Sequence, residues 1–226
     1  MTDDVVNRRL TLRVATRSGQ MTVVAEARRD IEVDGRPMDA VDAVVTVASS
    51  SKSHDIRVPV GTEVVIGTQS GRVDVRGPVG PVKVATESGR VSIEEAERAD
   101  VRTQSGRIEI GTCQDDCRVH AESSRVAVGR ARGVDIHTAS GRVSVGRASG
   151  PMSVRTTSGR VSVGLDGPAE VDAETVSGRI SVDVAPGLGV RMVESAGRRV
   201  ENSAAAGDDC TIRTKAVNGR IQVRNR

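Results

Sequence analysis

The sequence contains no phenylalanine, tyrosine or tryptophan among its 226 residues. Any core must therefore be filled by Val, Ile, Leu, Met, Ala and small polar side chains, which suits narrow stacked coils better than a wide globular interior. Sugar clefts and single-strand nucleic-acid platforms that rely on aromatic stacking are disfavoured for the same reason. No run approaches the roughly 18 apolar residues of a membrane span. The opening MTDDVVNRRLTLRVATRSGQ has no basic segment followed by an apolar one, so a cytoplasmic location is expected. Only three cysteines occur, Cys113, Cys117 and Cys210, an odd set that does not suggest a disulfide framework. Charge of either sign is also lacking in excess: 33 basic residues against 30 acidic ones leave +3.

What the sequence does have is a repeat. The serines of Ser-Gly-Arg-Val-x-Val units and their close variants fall at Ser70, Ser88, Ser105, Ser123, Ser140, Ser158 and Ser177, spaced 18, 17, 18, 17, 18 and 19 residues apart. Looser copies follow at Ala196 and Asn218, separated by the polar stretch RVENSAAAGDD. Upstream, RSGQMTV at Ser18 lies 52 residues before Ser70, three periods away, with decayed copies expected near Gly35 and Ser53. Within a unit the apolar residues alternate, which predicts strands on either side of a Ser-Gly corner. A short unit repeated at constant period can bury its apolar face only against its neighbours. The fold expected is an all-β, single-domain parallel β-solenoid (β-helix) with rungs of about 17–18 residues. Residues 1–53 read as degenerate N-terminal rungs or a cap, and 54–226 as regular repeats with an insertion near 197–209.

Stacking in register predicts inward ladders of Val82, Ala99, Cys117, Val134, Met152 and Val171, and of Val84, Val101, Val119, Ile136, Val154 and Ala173. Thr68, Thr86, Thr103, Thr138, Thr156 and Thr175 share the inward phase, so they are read as structural hydroxyls and not as an outward ice-binding array. Cys113 and Cys117 could be half of a metal site by spacing alone. Their registers, with Ala96, Ala131 and Ala148 for one and Val134 and Met152 for the other, make them core residues. Glycine at the corner suggests a left-handed backbone. Ser124 in ESSRV breaks that rule, so either its rung is strained or the corner accepts ordinary residues.

The run IRVPVGTEVVIGTQSGRVDVRG and the TxSGRVxV units that follow resemble the bacterial adhesin-like family of β-strand-repeat proteins, a domain-of-unknown-function family. The resemblance spans roughly Asp55 to Val223. It implies a parallel β-solenoid with no established enzymatic activity. Where that family tends to place an acidic residue after Ser-Gly, this chain has arginine. The rung length is also similar to that of bactofilins, which polymerise.

The arginines after the corner are the outward feature of the repeat: Arg72, Arg90, Arg107, Arg125, Arg142, Arg160, Arg179, Arg198 and Arg220. In register they form one column, either a solvated edge that resists aggregation or an anion-binding ladder for an acidic polymer. His120 and His137 share a second outward column near Glu122 and Asp135, a weak metal candidate only. His54 lies in a decayed corner and suggests no role. Serines recur at every corner, so none stands out as a nucleophile, and neither an enzyme nor a cofactor is expected. The functional expectation is a non-catalytic scaffold or interaction protein, binding a protein partner or associating through its ends, because the chain stops just after GRIQVRNR with only charge to blunt a strand edge. The alternative is a polyanion-binding module that uses the arginines.

Overall fold

The computed structural model describes residues 9–196 and 199–225. They form strands and turns only, and no helix among them is long and apolar enough to cross a membrane. In chain order the strands are β1 (Thr11–Thr16), β2 (Gln20–Glu26), β3 (Ile31–Val33), β4 (Arg36–Met38), β5 (Val44–Ser49), β6 (His54–Pro59), β7 (Glu63–Val79), β8 (Val82–Ala96), β9 (Ala99–Val184), β10 (Val190–Ala196), β11 (Arg199–Asn202) and β12 (Cys210–Asn225). From β7 through β9 the chain coils rung upon rung. Ser70, Gly71 and Arg72 pair in parallel with Ser88, Gly89 and Arg90, and these with Ser105, Gly106 and Arg107.

Alternation accounts for the interior. Both predicted ladders are buried along their whole length, including Cys117, Met152 and Ala173. Burying a valine contributes about 2 kcal/mol relative to exposure, so the stack gains stability with each rung added. The threonine column is buried too, and its hydroxyls have a definite task. Thr86, Thr103, Thr138 and Thr156 each donate from Oγ1 to the carbonyl of the corner serine two residues on, at 3.1, 2.9, 3.0 and 3.1 Å. Each such bond satisfies a carbonyl that the turning chain would otherwise leave unpaired.

The corner glycines are a steric requirement. Gly159 has φ +144°, and a Cβ there would meet the Gly141 carbonyl oxygen, as one on Gly178 would meet that of Gly159. Ser124 decides between the two sequence alternatives. It is not among the non-glycine residues with positive φ, so its rung uses ordinary backbone and turns the serine side chain inward, 6% exposed. The same rung carries Ala121 where its neighbours carry Thr103 and Thr138, so one inward hydroxyl replaces another.

Both ends depart from sequential stacking. β1 pairs with β5 and β7, and β2 with β6 and β7, so the first rung of the chain lies inside the rung made by β5 and β6. At the other end β12 pairs with β9 on one side and with β10 and β11 on the other. The C-terminal strand is therefore not the edge that sequential stacking would make it. β1 and β12 each have strands on both flanks, and a later or an earlier segment forms the end of the stack. β11 also draws Arg199–Asn202 into a rung, which shortens the expected polar insertion to a loop over 203–209.

Gly35 is likewise not a decayed corner. Asp34 and Gly35, both with positive φ, make the two-residue turn of an antiparallel hairpin joining β3 and β4. β3 then pairs antiparallel with β6 and covers its outer edge. His54, to which the sequence assigns no role, anchors this cap: its Nδ1 lies 2.9 Å from Asp34 Oδ2, while the Asp55 amide donates to Asp34 Oδ1 at 3.0 Å.

Two outcomes follow. Replacing Gly159 with Ala should lower stability by about 3 kcal/mol, whereas Ser124→Gly should cost less than about 1 kcal/mol, both read from urea midpoints. The Asp55 amide bond, then the His54 and Lys52 contacts, hold the Asp34 carboxyl below its ordinary value. A depressed carboxyl stabilises the fold above its unfolded value, about 3.9, and that contribution is lost as pH falls through the folded value. Protection of the β3 and β4 amides, taken relative to intrinsic exchange at each pH, should therefore fall below about pH 4, and Asp34→Asn should show low protection at every pH.

Candidate functional site

The arginines stand where parallel register puts them, immediately after the tightest part of each rung. Arg72 pairs with Arg90 and Arg90 with Arg107. At the far end Arg179 pairs with Arg220, and Arg220 with Arg199. Arg198, assigned to the column from sequence, lies outside the described residues, and Arg199 holds the rung position beside Arg220. The insertion of β12 brings Arg220 next to Arg179 although 41 residues separate them in the chain.

The column is not uniform. Arg125, Arg142, Arg160, Arg179 and Arg220 line one groove of about 900 Å³ whose floor is formed by Ser123, Ser124, Ser140 and the corner glycines. Arg72, Arg90 and Arg107 lie outside it. Arg107 is bound to Glu109 at 3.6 Å and Arg199 to Glu201 at 2.6 Å, whereas no ion pair is formed by the five groove arginines among the described residues. The reason is in the sequence two residues on: Ala127, Ser144, Ser162, Ser181 and Gln222 stand where Glu109 and Glu201 supply a carboxylate. Arginines whose strands lie about 4.8 Å apart would repel by about 1 kcal/mol in water if their guanidiniums kept that spacing, and no acid among the described residues pairs with these five. Planar, five-donor guanidiniums in a row, with hydroxyls beneath them, favour an anion that can accept from several at once. Ser123 and Ser140 already share a hydrogen bond at 3.0 Å across rungs.

A second groove, of about 1160 Å³, runs along the strand segment before the corner, from Ala15 to Val217. It contains Arg102, His120, His137 and Arg155, but here acids accompany the cations. Arg102 lies 3.6 Å from Asp100, and Arg155 lies 3.4 Å from Asp172 and 3.6 Å from Glu174. His120 and His137 are brought together as expected, their rings stacked at 5.3 Å and 14° apart, with His137 Nε2 at 3.0 Å from Asp135 Oδ1. Ring-nitrogen lone pairs lie in the ring plane, so two nearly parallel stacked rings do not converge on an ion between them. Among the described residues no group of three or more His, Cys, Asp or Glu is placed to share a metal ion.

The rung-on-rung body and its repeated surface columns define an all-β repeat protein. The chain belongs to the Toastrack DUF4097 family, whose model matches residues 3–224. That family is a domain of unknown function with a β-solenoid-like fold, so membership supplies the architecture and no activity. No curated protein and no solved structure matches the chain.

The cysteines complete the comparison with the sequence reading. All three are free and buried, Cys113 and Cys117 in the ladders their register indicated. Contact with Cys113, and then burial, pushes the Cys117 thiol up, and burial does the same to Cys210. Neither is a thiolate at neutral pH, so neither is a ready nucleophile or metal ligand. A thiol reagent at pH 8 should label the folded protein slowly, with all three sites reacting at once in guanidinium. Fast labelling of Cys117 in the folded state would contradict this burial.

Proposed function

We propose that the protein is a non-catalytic scaffold that presents its long faces to a partner and associates with a second copy through one end. The observation that carries this reading is the inequality of the two ends. At the end bearing β5 and β6, the β3–β4 hairpin covers β6, and a bridge from Val41 to Val44 folds over the start of β5. At the other end β10 and β11 pair on one side only, apart from the bridge between Val190 and Ala206. Val193 and Val200 are exposed there, at 52% and 40%. An unpaired, partly apolar strand edge is a template for another strand.

One open end and one capped end favour a closed pair over a filament. Two copies meeting at the same edge across a two-fold axis bury both edges and leave none to extend, which is an isologous contact. This departs from the end-to-end polymer suggested by rung length. The non-catalytic part rests on repetition: the corner hydroxyls recur rung after rung, and none of the corner serines is hydrogen-bonded to a histidine or a carboxylate among the described residues. The cytoplasmic setting rests on the sequence alone, and an adhesin-like role on the family resemblance alone.

Light scattering should give a mass approaching twice 23.7 kDa as concentration rises, and negative-stain images should show doubled rods. Val193→Asp with Val200→Asp should return the protein to monomer without lowering its thermal midpoint by more than a few degrees. A monomer at all concentrations, or filaments, would remove the one-ended reading. Turnover of a substrate abolished by a single substitution would remove the non-catalytic one.

A further inference from the structure

We propose that the groove beneath Arg125, Arg142, Arg160, Arg179 and Arg220 binds a linear phosphate polymer lying parallel to the stack. This deepens the scaffold reading by naming the chemistry of one partner, and it rests on that reading.

Four observations support it. The first is the contrast between the grooves. Arg102 and Arg155 in the larger one are neutralised by Asp100, Asp172 and Glu174, while the five groove arginines have no acidic partner among the described residues. A bound anion would relieve their mutual repulsion along the whole row at once. The second is shape. The arginines border a groove with a floor, which cradles a single chain and would hold a flat bilayer surface away from its serines.

The third is spacing. Five arginines on consecutive rungs about 4.8 Å apart span roughly 19 Å. An extended peptide turns alternate side chains to opposite sides, so carboxylates on one face recur only every 6.7 Å or so and fall out of step with the rungs. A nucleic-acid strand carries one charge per 3.4 Å or so, and a polyphosphate is denser still, with ionised oxygens facing several directions. Every arginine then finds an oxygen whatever the phase. The fourth is the floor. The Ser123 and Ser140 hydroxyls, hydrogen-bonded to each other across rungs, line it and are donors suited to a phosphate oxygen. With no Phe, Tyr or Trp in the chain, the groove has no aromatic platform for bases, so recognition rests on the phosphate chain and is independent of base sequence.

The test is fluorescence anisotropy of the full chain with labelled oligo-dT and labelled polyphosphate, between 50 and 200 mM salt. Polyglutamate and phosphatidylserine vesicles serve as carboxylate and membrane controls. For five contacts to a single strand, log K should fall with log salt at a slope of about −3.5, roughly a hundredfold loss over that range. R142Q/R160Q/R179Q leaves two contacts, so the slope should flatten to about −1.4 and the loss to about sevenfold. R142K/R160K/R179K keeps the charge and should keep the slope while weakening binding, and R102Q/R155Q should change neither. The thermal midpoint of each variant checks folding.

Binding of both phosphate polymers supports the proposal, and binding of only one identifies the source of the phosphate within it. Equal affinity for polyglutamate, binding to vesicles alone, no binding, or a slope unmoved by the triple Gln substitution would overturn it. Light scattering of the same samples without ligand separates this from the scaffold reading, since end association does not use these arginines.

Discussion

The rungs approach each other most tightly, backbone against backbone, at positions where a side chain could not fit. At each Ser-Gly corner the glycine lies against the carbonyl of the corner beneath, as Gly178 does on Gly159 and Gly159 on Gly141. That approach has no room for a Cβ, and it sets the vertical spacing at which every other column must work. The Thr86, Thr103, Thr138 and Thr156 hydroxyls reach their corner carbonyls because the chain turns at the same residue in each rung. The valine ladders touch for the same reason. The arginines fall on adjacent rungs as a by-product of the same register, chosen by glycine and valine.

Once the register is set, function becomes a matter of what each column lacks. The inward columns are filled by apolar side chains and by threonines, most of whose hydroxyls bond to corner carbonyls. The outward columns differ chiefly in whether acids accompany the bases. Where Glu109 or Glu201 follows by two residues, the arginine is tied down. Where Ala127, Ser144, Ser162, Ser181 or Gln222 follows, the arginine forms no ion pair among the described residues. The histidine pair is the complementary case: two residues that suggest chemistry by type are held ring against ring, in a geometry that favours stacking over coordination.

Much of this was legible in the chain because a constant period converts sequence spacing directly into spatial neighbourhood. The inward assignment of Cys113, Cys117 and the threonines followed from counting alone. Counting failed wherever the chain left the period. Asp34-Gly35 resembles a Ser-Gly corner in composition, but with the strands on either side short enough to pair with each other it closes a hairpin instead. His54 had no repeat partner to announce it, and its role depends on Asp34, twenty residues away, folding back across the end.

The sequence by itself determined the rung, its inward and outward faces, and the column of arginines, because strand alternation and a fixed period are local properties. Tertiary structure alone decided the order of the rungs at the ends, since nothing in a parallel ladder marks which strand must lie outermost. That decision tucked β1 and β12 inside, left β10 and β11 as the open edge, and carried Arg220 to the side of Arg179. The arginine repeat was thus evident from the start: Arg125, Arg142, Arg160 and Arg179 follow one another on β9, and the tertiary structure lengthens their unpaired stretch by one, Arg220 of β12.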